Sequence, residues 1–265
     1  MVFSLLQTIV SQFSVKPAPF KALILALAVM ASSAMPASAH QPVILTAESA
    51  RIDASPVLVE GSISFAVTAN FAKSGERRYF RFALREGEAL ELEYLILDRR
   101  PESSLKNSKL PVVTITSPSG KKLNLGINER TKFYEPYGKQ NYLFLSRANR
   151  AGESGIYSVS IRSRAKASAI VAVGSKEIRG EVMQISDVAG SCPKKISDEM
   201  EIGEKRANQL VGLSERAGEV CALLNGWGYR VVQRDGEDFP VTLDYRPNRI
   251  NVKVKSEKIF EVGVG

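Results

Sequence analysis

The chain holds one histidine, His40, and two cysteines, Cys192 and Cys221, among 265 residues. Those counts limit the chemistry. A metal site built on several histidines cannot form within one chain, and a Ser-His-Asp or Cys-His hydrolase would have to use His40. The residues whose spacing invites another kind of chemistry are Phe239-Pro240-Val241-Thr242-Leu243-Asp244-Tyr245-Arg246-Pro247-Asn248-Arg249. This run carries Val, Thr, Leu and Tyr without a tight-turn signal, and Pro240 and Pro247 disfavour both helix and central strand. Such a segment is expected to be extended and exposed. A Leu displayed between a β-branched residue and an acid suits contact with a partner. No motif supports a Lys-based or carboxylate-pair enzyme, so the chain reads as a non-enzyme with no cofactor and no metal.

The elements that must position this run begin after a leader. Residues 1–39 contain no Asp or Glu, two lysines (Lys16 and Lys21), an apolar run from Ala22 to Ala31, and the small-residue end Ala37-Ser38-Ala39. That order predicts a secretory signal peptide cleaved after Ala39. The apolar run is short of the ~20 residues that span a bilayer. The mature protein would begin at His40, which is read as catalytically silent. Export to the periplasm or beyond permits disulfides, so Cys192 and Cys221 are expected to pair. A closed loop of about 30 residues is worth ~3–4 kcal/mol in the chain-entropy model.

The rest of the chain divides in two. Residues 44–187 read as β structure, with runs Ile63 to Phe71, Arg78 to Leu84, Ala89 to Leu97, Leu110 to Thr116, Asn141 to Leu145 and Ile156 to Ile161 separated by turn signals such as Ser117-Pro118-Ser119-Gly120. Many short strands spaced by turns predict a sandwich or barrel. From Ser191 the pattern changes. Lys194 to Leu210 predicts a helix or a partly ordered connector. Ser214 is a good N-cap for a second helix, and Asn225-Gly226 is its stop signal. Tyr229 to Val232, Arg249 to Val254 and Ile259 to Val264 follow as strands, the first two separated by the turn Asp235-Gly236-Glu237-Asp238. The expected boundaries are 1–39 for the leader, 40–188 for the sandwich, 189–207 for a linker or extra helix, and 208–265 for a small α/β domain.

Two resemblances rest on these residues. Arg77-Arg78-Tyr79-Phe80-Arg81-Phe82 followed by Glu86-Gly87-Glu88-Ala89-Leu90, then Val113 to Gly120, then Gly155-Ile156-Tyr157-Ser158-Val159-Ser160-Ile161, resemble the bacterial pre-peptidase C-terminal domain, a small β-sandwich. At the other end, Leu210-Val211-Gly212-Leu213-Ser214, Tyr229-Arg230-Val231-Val232, Pro240-Val241-Thr242-Leu243-Asp244 and Tyr245 to Val252 resemble, in order, the motifs of the potato inhibitor I family of serine-protease inhibitors. The second resemblance implies one main helix on a short mixed sheet. It also implies substrate-like inhibition, with Leu243-Asp244 as the reactive bond. Pro240, Val241, Thr242, Tyr245 and Arg246 would contact the protease, and Leu243 would suit subtilisin-like or chymotrypsin-like enzymes. In the family, side chains flanking the bond are held by two arginines of the next strand. Thr242 and Asp244 would be the flanking groups and Arg249 one support; the second support position holds Asn251, which should weaken the loop. Cys192–Cys221 would clip the chain leading into the helix.

The formal net charge of +8 falls on the leader and the β-rich part, since residues 190–265 carry equal numbers of acids and bases. This leaves room for an alternative: a cell-surface or extracellular binding protein whose basic sandwich contacts anionic surfaces or polysaccharides, the C-terminal fold serving as scaffold. Nucleic acid is not expected as a partner, because no basic–aromatic repeat is present.

Overall fold

The computed structural model describes residues 40–136 and 138–265; the expected leader, residues 1–39, lies outside them. The β-rich part forms two six-stranded sheets. Its strands are β1 (Gln41–Leu45), β2 (Val57–Leu58), β3 (Phe65–Phe71), β4 (Arg77–Leu84), β5 (Ala89–Leu97), β6 (Val112–Thr116), β7 (Lys122–Leu125), β8 (Thr131–Glu135), β9 (Gln140–Ala151), β10 (Gly155–Arg162), β11 (Ala167–Val173) and β12 (Val182–Met183). The first sheet runs β1-β3-β11-β5-β9-β8 and the second β12-β2-β4-β10-β6-β7. Alternate residues of each strand turn inward, as the period of two requires. Phe65, Val67, Phe80, Phe82, Leu92, Tyr94, Ile115, Val159, Ile161 and Val171 meet in one buried cluster. Phe82 stacks on Tyr157 at 4.9 Å between ring centres, and the buried Tyr94 hydroxyl donates to the Pro111 carbonyl at 2.8 Å. A buried phenol needs such a partner.

Several expected strands shift. The run expected to end at Leu145 continues to Ala151. The pairing with β5 slips by one residue at Tyr94/Leu95, so the visible alternation breaks although the ladder goes on. β11 was not among the expected runs. Its AlaSerAlaIleValAlaVal stretch is almost wholly buried, which erases the polar half of a strand signal.

The C-terminal lobe is a helix on a four-stranded mixed sheet. Helix α1 is a single turn, Glu204–Ala207, and α2 spans Glu215–Asn225. Strands β13 (Gly228–Arg234), β14 (Glu237–Asp238), β15 (Arg249–Lys255) and β16 (Lys258–Val264) follow in the order β14-β13-β15-β16. β13 and β15 are parallel, and β15 and β16 antiparallel. The expected ends of α2 hold. The Ser214 hydroxyl accepts from the Ala217 N–H at 3.1 Å, and Gly226 takes the left-handed conformation at φ 79°, which a Cβ would disfavour. Of the stretch Lys194 to Leu210, expected as a helix or a partly ordered connector, only α1 and one turn of 3-10 helix are helical. The stretch before it is held by side chains instead of by its own backbone. Glu199 accepts from Trp227 Nε1 at 2.7 Å and pairs with Arg206 at 2.7 Å, while Arg206 lies over the Trp227 ring.

Val57, Val59, Ala83 and Met183 of the sandwich share one apolar cluster with Cys192, Leu210, Ala217, Val220, Cys221, Ile250 and Val252 of the C-terminal lobe. Residues 40–265 accordingly belong to one compact unit.

Cys192 and Cys221 form a disulfide across 29 positions, both buried. The double variant Cys192→Ser with Cys221→Ser is expected to lose ~3 kcal/mol of stability. Urea denaturation checks this, and an unchanged midpoint would show that the crosslink constrains nothing.

Candidate functional site

Residues 239–248 lie between β14 and β15 with no regular structure. Their ends are pinned. The Phe239 N–H donates to the Val232 carbonyl at 2.9 Å, the Pro247 carbonyl accepts from Ile202 N–H at 2.9 Å, and the Asn248 carbonyl accepts from Gly228 N–H at 2.8 Å. Between these pins the chain projects outward. Leu243 is 102% exposed, and Val241 and Tyr245 are exposed too. The side chain at the crest therefore touches nothing in its own molecule, while its backbone is fixed on both sides.

What fixes it is a polar network beneath Leu243. Asp244 is the hub. The Thr242 hydroxyl donates to Asp244 Oδ1. Arg249, the first residue of β15 and buried, donates from Nη1 to Asp244 Oδ2 at 3.0 Å and from Nη2 to the Asp244 carbonyl at 2.6 Å. Arg246 Nε donates to Asp244 Oδ2 at 2.7 Å. Arg249 is itself positioned by Nε donating to the Gly265 carbonyl at 2.7 Å. Two chain segments thus meet on one guanidinium, whose planar fork suits simultaneous bonds of this kind.

Asn251, expected to be a weak point, has a different role. Its Nδ2 donates to the Gly265 carbonyl at 2.7 Å, and its Oδ1 accepts from Arg230 Nε at 2.8 Å. Arg230 comes from β13, the strand beside β15, where it lies opposite Asn251 in the parallel register. It reaches the loop from there, with Nη1 3.3 Å from Thr242 Oγ1 and 3.8 Å from Asp244 Oδ1. A second arginine does support the loop, delivered from the adjacent strand and aimed by Asn251. Sequence reasoning missed Arg230 because its role depends on which residue it faces across a parallel pair. The signal was the pattern Arg230 and Asn251 at matching offsets in two strands that a crossover must bring together.

The Thr242 hydroxyl and the Arg249 and Arg246 guanidiniums hold the Asp244 carboxyl well below the usual aspartate range. The sign follows from linkage: a depressed folded-state value gives support that is complete above the ordinary value of 3.8 and lost only as pH falls through the lowered one. The carboxyl carbon of Asp244, followed by NMR, is therefore expected to show no inflection near pH 3.8 and to titrate at lower pH. An inflection at or above 3.8 would mean that the network does not persist in solution.

Of the expected site residues, the fold brings Thr242, Leu243, Asp244, Arg246, Arg249 and Asn251 into one assembly. Pro240 and Val241 are exposed on one side of it, and the Tyr245 ring lies over Gly265 on the other. Among the described residues, no group of three His, Cys, Asp or Glu could hold a metal ion.

No family model and no curated protein matches the chain. Among solved structures it is similar to BtGH115A, a family GH115 4-O-methyl-α-glucuronidase with specificity for decorated arabinogalactans, at 12% identity and a TM-score of 0.26. That similarity covers 53% of this chain and 17% of the other, so the chain spans under a fifth of that protein's length.

Proposed function

We propose that the chain is an exported serine-protease inhibitor, acting by substrate-like insertion of the loop with Leu243-Asp244 as its reactive bond. The observation that carries this reading is the contrast at the crest. Leu243 is fully exposed, while both its neighbours are tied to arginines beneath them. A partner's pocket can take the Leu side chain without any rearrangement of the loop. Flanking backbone from Val241 to Tyr245 would lie along the protease cleft as an added strand. The loop loses little conformational freedom on binding because its own network has already fixed it.

The same network explains how a cleavable bond survives. The protease serine attacks the Leu243 carbonyl carbon, and the bond to the Asp244 nitrogen breaks with a proton delivered to that nitrogen. In an ordinary substrate the new amine diffuses away. Here Asp244 is held through its carboxylate and its carbonyl by Arg249, so the amine stays beside the acyl group and religation competes with water. Leu at this position suits the apolar pockets of subtilisin-like and chymotrypsin-like enzymes and not a pocket with an acid at its base.

The test uses residues 40–265, folded and oxidised, against subtilisin, chymotrypsin and trypsin. Tight inhibition of at least one of the first two and weak action on trypsin is the expected pattern. A folded protein that inhibits neither subtilisin nor chymotrypsin would overturn the reading.

A further inference from the structure

The outer face of the first sheet, remote in sequence from the loop, is shaped as a site. Outward residues line up across the strands: Phe144, Leu95, Ile170 and Thr68 form one row, and Arg147, Glu93, Ala172 and Ala66 the next. Small side chains at Ala66 and Ala172 hollow the middle, leaving an open trough of about 870 Å³. One end carries three aromatic rings, Phe133, Tyr142 and Phe144, with Phe133 and Phe144 5.3 Å apart between centres. The other end is polar. Asn149 and Ser175 hold Glu91 there by hydrogen bonds.

The charge in the trough opposes that of its surroundings. The β-rich part carries a net positive charge, yet Glu91, Glu93 and Glu177 line this trough. Arg147, on its rim, is already engaged by Glu129 through two bonds of 2.9 and 2.7 Å. Glu93 is the unusual member. It is half-buried on the floor, where the charges of His40 and Arg147 act on it without a hydrogen bond to either. Desolvation pushes its carboxyl above the ordinary range. The two cations offset that desolvation only in part, so a further cation or donor relieves it.

We propose that this trough binds an oligosaccharide of amino-bearing sugars. Aromatic rings and a floor of small apolar residues accept the apolar faces of sugar rings. The held carboxylate and Asn149 suit hydroxyls, and Glu93 suits an ammonium. Acidic saccharides meet like charge. An extended peptide gains less here, because the trough lies on a sheet face whose backbone groups are already paired, so no ladder can form as it would at an edge. This inference is independent of the inhibitory loop.

The test is calorimetric titration of residues 40–265 with glucosamine hexamer, N-acetylglucosamine hexamer, a galacturonic acid oligomer and octalysine. The glucosamine hexamer is expected to bind, the N-acetylated one at least roughly tenfold more weakly for want of the ammonium, and the acidic oligomer not at all. Glu93→Gln and Tyr142→Ala, each shown folded by circular dichroism, should both weaken glucosamine-hexamer binding about tenfold, whereas Arg249→Ala should leave it unchanged. No binding of the glucosamine hexamer, octalysine binding as tightly as it, or affinity indifferent to both trough variants would overturn the proposal.

Discussion

Arg249→Ala is expected to turn the proposed inhibitor of subtilisin into a substrate cleaved between Leu243 and Asp244. The Arg249 side chain is 9% exposed, and it bonds the Asp244 carboxylate, the Asp244 carbonyl and the Gly265 carbonyl. Hydrogen bonds between a guanidinium and a carboxylate are among the stronger ones, and their planar geometry fixes orientation. Losing the two that hold Asp244 should weaken inhibition by about two orders of magnitude, because the loop and the new amine are then no longer held in place. The inhibition constant and a mass-spectrometric time course of cleavage check this together. Arg249→Lys keeps the charge but not the planar fork and should fall between. Arg230→Ala should cost less, because Arg230 reaches the loop only through longer contacts at Thr242 and Asp244. An Arg249→Ala protein that is folded, uncleaved and equally inhibitory would remove the loop-support role.

The second large effect is a change of target. Leu243→Arg is expected to shift inhibition from subtilisin and chymotrypsin towards trypsin. The fold should not notice, since Leu243 is 102% exposed and contributes nothing to any core. Burying a Leu in a partner's pocket contributes ~1.5–3 kcal/mol, so removing it should weaken binding to the original targets roughly 10- to 150-fold. A trypsin-like pocket, with an acid at its base, should gain by a comparable or larger factor. If the wild type inhibits and this variant keeps the same order of targets, the contact lies elsewhere on the molecule.

The loop was legible in the sequence for a simple reason. Exposed, proline-bounded apolar residues have no packing role to disguise them, and Thr242, Asp244 and Arg249 are close neighbours in the chain. The ends of α2 were legible because caps are local: Ser214 and Gly226 act within a few residues of themselves. What depends on pairing between distant segments was not. Arg230 acquires its role only when β13 and β15 align. The stretch before α1 depends on Glu199 finding Trp227 and Arg206. β11 was hidden because Ile170 and Ala172 are buried on the face where a polar residue was awaited. The trough was invisible too, because only the pairing of distant strands brings its residues onto one face. The leader lies outside the described residues. The disulfide is consistent with an oxidising compartment.

The apolar cluster that Val57, Val59, Ala83 and Met183 share with α2 and β15 bears on how the molecule comes apart. A lobe of about 60 residues buries a small fraction of its surface and is marginal alone. Here its hydrophobic base is completed by the sandwich, so the larger module acts as ballast for the smaller. The stiffness of the exposed loop is therefore borrowed in part from strands far from it in sequence. Cutting the chain near residue 208 would leave an oily scar on both fragments, and the loop would be mounted on a looser foundation than the one it has in the intact chain.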